Sequence, residues 1–161
     1  MTNTKQIKLL DRYYNIAKIL LTLTPFLYIM YLSMGATKIG SSIPQIIQAN
    51  PGNMVMFLVS MINPFIAYLL IFMHRKLDNG DISYSVVNLV VLIVAETMLE
   101  NVFYAILLGF ILIKTLKIYN VSFKECFKSK FNKSFLGTIS GGIVVLFLAG
   151  ICLFATLRIG M

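Results

Sequence analysis

The stretch ISYSVVNLVVLIVAETMLENVFYAILLGFILI, residues 82–113, decides the fold. It has 32 residues and no charge other than Glu96 and Glu100. A single helix of that length would run about 48 Å, well beyond a hydrocarbon core of about 30 Å. Two readings compete: one tilted helix, which makes a four-span protein, or a hairpin of two short helices turning near residues 97–101, which makes five.

Basic residues separate the two readings. With five spans, one side of the membrane collects Lys5, Lys8, Arg12, Lys18, Arg75, Lys76, Lys114, Lys117, Lys124, Lys128, Lys130 and Lys133, leaving Lys38 and Arg158 on the other. With four spans the fourteen cations divide evenly. Because cytoplasmic loops concentrate Lys and Arg, the expectation is an all-α integral membrane protein of five spans, N-terminus inside and C-terminus outside. The predicted spans are residues 15–36, 54–74, 82–97, 100–117 and 135–157, with a basic interfacial segment at 118–134 and one polytopic domain over 1–161. Pro25 and Asn63-Pro64 lie inside predicted spans, where neighbouring helices can satisfy freed backbone groups. The segment after the first span carries Pro44, Pro51 and Gly52 and reads as a loop with one interfacial turn at residues 45–49. Lys5, Lys8, Arg12 and Lys18 ahead of an apolar run ending in Ser33, Gly35 and Ala36 have the flavour of a secretory signal, but the run is expected to be a retained first span.

Composition agrees with a bilayer. Residues of the AVILMFWYC set make up 58% of the 161-residue chain and charged residues 12%, about half the charge density of a soluble domain. One histidine and two cysteines exclude a His/Cys metal cluster and a C-x-x-C redox pair. No phosphate-binding glycine loop or nucleophile elbow is present, so neither a cofactor nor an enzymatic activity is expected. Eleven lysines against three arginines, with abundant Ile and Asn, suggest an AT-rich bacterial genome and a bacterial cytoplasmic membrane.

Glu96 and Glu100 are the acids inside an apolar environment. At i and i+4 they share a face if the segment is helical there. Buried, with Asn63, Asn88 and Asn101 as a polar lining, they would form an ion or proton site; at a hairpin tip they would be solvated, which is the reading the charge asymmetry favours. Gly137 and Gly141 give a G-x-x-x-G strip for close helix packing, within the chain or against a partner. Phe123, Phe127 and Phe131, with Lys124, Lys128, Lys130 and Lys133 between them, describe an amphipathic interfacial helix suited to an anionic inner leaflet; tethered between spans, it argues against nucleic acid. His74, ahead of Arg75 and Lys76, is expected at the interface, and Tyr13, Tyr14, Tyr28, Tyr31, Tyr104 and Tyr119 as belt residues.

Three consecutive features over about residues 54–157 resemble the Yip-type (Ypt/Rab-interacting) five-span membrane proteins. A span runs into the basic turn from His74 to Asp81, an apolar hairpin follows, and the step from Ile113 to Ser122 leads through a basic segment into the last span. The resemblance implies five spans, an inside N-terminus and a role organising other membrane proteins, with no catalytic residues. The functional expectation is a non-enzymatic accessory or scaffolding subunit beside another membrane protein or its own copy, as in a transporter, export or peptide-immunity system. The rival expectation is a small ion- or proton-coupled carrier using the Glu pair.

Overall fold

A computed structural model describes residues 4–130 and 135–160. Among them the chain is helical throughout, with no strand: α1 (Thr4–Ile39), α2 (Ile43–Ala49), α3 (Pro51–Asp78), α4 (Ile82–Met98), α5 (Val102–Tyr119), α6 (Phe123–Lys130) and α7 (Phe135–Ile159). Four stretches, Thr4–Ile39, Pro51–Asp78, Val102–Tyr119 and Ile139–Ile159, are long and apolar enough to cross a membrane. The protein is an all-α integral membrane protein.

The deciding stretch is divided, not continuous. Helix α4 stops at Met98 and α5 starts at Val102. The stop is a Schellman turn: the Asn101 N–H donates to the Glu96 carbonyl (2.9 Å) and the Glu100 N–H to Thr97 (3.2 Å). Glu100 takes the left-handed position with φ 59°, a place glycine usually fills, so sequence inspection for Gly or Pro finds nothing to mark the bend. The turn between α3 and α4 has the same pattern, Asp81 to Lys76 (2.9 Å) and Gly80 to Leu77 (3.0 Å), with Gly80 at φ 84°.

Helix α4 is the hub. It has 17 residues, about 25 Å, and packs against α3, α5, α6 and α7. Val86, Val87, Leu89, Leu92 and Ala95 are fully buried. On one side α7 reaches α4 at Gly142, where an added Cβ would meet Val91 Cγ1 at 2.6 Å; Gly141, one residue earlier, lies as close to Leu69 of α3. Ser85 of α4 donates to the Met73 carbonyl of α3 at 2.7 Å.

The outer helices depart from the predicted boundaries for local reasons. Helix α1 begins at Thr4, before the predicted span at 15–36, and its part ahead of that span is anchored by Leu10 in the core and by Tyr14, which stacks on His74 of α3. It passes through Pro25, where Thr24 bonds the Leu20 carbonyl (3.0 Å) and the Tyr104 hydroxyl (2.6 Å), tying α1 to α5. The expected single turn at 45–49 is the longer α2, opened by a capping box from Ser42 and Gln45.

Candidate functional site

Alternation of the helices gives the bundle two ends. Residues around 4–18, 73–85 and 114–130 make a basic end, and the α4–α5 tip, α2 and the α7 C-terminus make the opposite, tip end. Each end holds one node of polar side chains.

The tip node is built by the turn itself. Because Asn101 closes the Schellman turn through its backbone, its side chain is held back over α4, where Nδ2 donates to Glu96 Oε2 at 2.9 Å and to Asn63 Oδ1 of α3 at 3.3 Å. Glu96 and Asn63 have no exposed surface. Glu96 Oε1 and Asn63 Nδ2 have no hydrogen-bond partner. Next to the node a cleft of about 360 Å³ opens at the tip end, lined by Val59, Leu99 and Glu100 among others. Val59 lies one turn from Asn63, and Leu99 one turn from Glu96.

The expected Glu pair is therefore split. Glu100 is exposed in the turn, as a solvated tip predicts, whereas Glu96 is inside, which corrects the solvated reading for that residue. The two do not share a helical face, since Glu100 lies beyond the last turn of α4. Asn63, named from sequence, is brought to Glu96 through Asn101, whose bridging role sequence spacing did not reveal. Asn88 instead bonds the Tyr84 carbonyl within its own helix (3.0 Å).

The basic-end node was missed from sequence, because its members lie about sixty positions apart. His74 Nε2 is 3.0 Å from Asp11 Oδ1 and 4.0 Å from Asp78 Oδ1. Its Nδ1 is 3.2 Å from Lys18 Nζ, and its ring stacks on Tyr14 at 4.8 Å and 3°. His74 is thus mostly covered, and Tyr14, fully buried, is a packing residue and not a belt residue. Tyr104, bonded to Thr24, is likewise turned inward. Asp11, His74 and Asp78 bring ligand atoms within 4.8 Å of one another, a mixed cluster that composition did not suggest. The donor set fits a cation poorly. An ammonium group already occupies the node, and Nδ1 accepting from Lys18 leaves the ring proton on Nε2, facing Asp11.

Of the predicted lipid-surface residues, Phe123, Lys124 and Lys128 are exposed and Phe127 half-buried, with the Phe123 and Phe127 rings 4.7 Å apart. Lys130 departs from the expectation. It turns inward to Asp81, the N-cap of α4, at 2.8 Å, because it follows the buried Cys126 by four residues on the face α6 packs against α4. Phe131 and Lys133 lie outside the described residues. Gly141 makes the close helix contact expected of the small-residue strip and shares it with Gly142, while Gly137 is exposed.

No family model, curated protein or solved structure matches this chain.

Proposed function

We propose that the protein is a non-enzymatic five-span bacterial membrane protein, basic end inside, that acts as an accessory or scaffolding subunit of a membrane complex such as a transporter, export or peptide-immunity system. The observation that carries this reading is the use made of polar side chains turned between helices. Ser85 ties α4 to α3, Asn101 ties the hairpin to α3, Tyr104 ties α5 to α1, and Asp11 ties α1 to α3 through His74. Such side chains fasten a bundle from within, and the protein's remaining means of action are its surfaces. These are an apolar perimeter for a membrane partner, with Phe26, Met30 and Met34 of α1 each more than 60% exposed, and a basic end suited to anionic lipid. The resemblance to Yip-type organisers points the same way. A carrier reading rests on Glu96 alone, since Glu100 is exposed.

Two experiments test this. On a background lacking Cys126 and Cys152, Thr97→Cys and Ser129→Cys both lie on exposed positions. With five spans, an impermeant thiol reagent on intact cells labels position 97 and leaves 129 silent; the reverse pattern removes the proposed orientation. Affinity purification of the full chain in native-lipid discs is expected to recover a stoichiometric membrane partner. Isolated chains that move an ion across liposomes would overturn the accessory role.

A further inference from the structure

The tip node has a property that helix fastening does not require. Asn101 Nδ2 offers two hydrogens, one to Glu96 Oε2 and one to Asn63 Oδ1. That pattern suits a carboxylate. It leaves Asn63 Nδ2, a fully buried donor, with nothing to bond, and orphaned buried N–H groups are rarer than orphaned carbonyls. The oxygen and nitrogen of an amide occupy nearly the same space and exchange by a half-turn. Turning both amides over gives a second pattern on the same heavy-atom positions: Asn101 Oδ1 accepts from a protonated Glu96 Oε2–H and from Asn63 Nδ2–H. The buried Asn63 donor is then bonded, the carboxyl is neutral, and at Glu96 and Asn63 the atoms left without a partner are carbonyl-type oxygens.

We propose that Glu96, Asn101 and Asn63 form a proton-binding site with two complementary hydrogen-bond patterns, one helical turn below the cleft at the tip end. One proton is taken up at Glu96 Oε2, the charge of the site goes from minus one to zero, and the two amides turn over with it. The surroundings suit a single proton better than a metal cation. From α3 the facing polar group is Asn63, and from the start of α5 it is Asn101. Helix α7 contributes the Cys152 thiol to the shared core, and α6 meets α4 at the far end, where Lys130 holds Asp81. Glu100, the nearest acid in sequence, is exposed in the turn. A cation would find one carboxylate oxygen and, beside it, an amide presenting hydrogens. The site belongs to the bundle itself and holds whether or not a partner is bound.

Infrared difference spectroscopy of the full chain in lipid nanodiscs, between alkaline and acid conditions, tests both halves of the proposal. The wild type is expected to gain a buried carboxylic-acid C=O band on acidification, together with asparagine amide bands identified by their shift on ¹³C-asparagine labelling. Glu96→Gln, whose side-chain amide imitates the protonated pattern, is expected to lose both sets, and Asn101→Ala the amide set. Identical difference spectra in wild type and Glu96→Gln would overturn the proton site. A carboxyl band in the wild type with no labelled amide change would overturn the paired amide turnover. That last arm needs no variant and stands even if Glu96→Gln fails to fold.

Discussion

The two turns that bound α4 share one backbone pattern made from different residues, the first closing α3 and the second α4 itself. At the basic end Gly80 holds the left-handed position, and the neighbouring Asp81 caps α4 by accepting from the Tyr84 N–H at 3.1 Å while pairing with Lys130. At the tip end Glu100 holds that position, and the neighbouring Asn101 reaches inward to Glu96 and Asn63. Both turns set the residue that follows the left-handed one, Asp81 or Asn101, to work as an anchor. The basic-end anchor is partly solvated and charge-paired, so it is worth little and responds to salt. The tip-end anchor serves a fully buried carboxylate, so its loss is expensive. One geometry thus yields a cheap clasp and a costly one, and burial alone makes the difference.

The largest expected effect comes from breaking the costly clasp. Asn101→Leu leaves Glu96 buried without a donor and should destabilise the bundle by about 3 kcal/mol, read as a lowered unfolding midpoint in detergent. Glu96→Leu added to it should recover much of that loss, since removing both partners costs less than stranding one. Between the two ends, Gly142→Ala drives a methyl to within 2.6 Å of Val91 and should cost about 2 kcal/mol by overpacking. Val91→Ala in the same chain should relieve part of the loss, and a double-mutant cycle that returns simple additivity would remove the contact from the account.

The turns themselves give a matched pair with opposite signs. Gly80→Ala meets no atom within 4 Å, so its cost is the left-handed backbone alone, about 1 kcal/mol. Glu100→Gly relieves the same strain and should raise the thermal midpoint, by a similar amount at most. Equal and opposite shifts would make the two turns interchangeable; a fall with Glu100→Gly would mean that the exposed carboxylate has a task of its own. Smallest of all, Lys130→Ala should lower stability by less than about 1 kcal/mol, and the difference from wild type should fade as salt is raised.

Much of the hairpin was legible from charge. Residues 82–113 are too long for one span, and the lysines after Ile113 call for a return to the side of Arg75 and Lys76, and the chain does divide between Met98 and Val102. The precise turn was not legible, because Glu100 adopts a conformation its side chain does not advertise. The tip site was half legible. Glu96 and Asn63 stand out as polar residues in apolar runs, but Asn101 joins them only because the turn swings it back over α4. Lys130 reads as one more headgroup lysine until α6 is packed on α4 and Cys126 is seen to face inward.

By itself the sequence determined that the chain is helical and membrane-embedded and that residues 82–113 exceed one span, because these follow from the length of apolar runs and the sparse charge along the chain. Only the tertiary structure decided which polar side chains turn inward and to which partners: Glu96 and not Glu100, His74 to Asp11 and Tyr14, and Lys130 to Asp81. The reason is physical. In a soluble helix the apolar stripe reports the buried face, but in a bilayer the lipid-facing and core-facing sides are both apolar. The pattern of hydrophobic residues then carries no record of which face is in, and the partners that answer a buried polar group come from other helices.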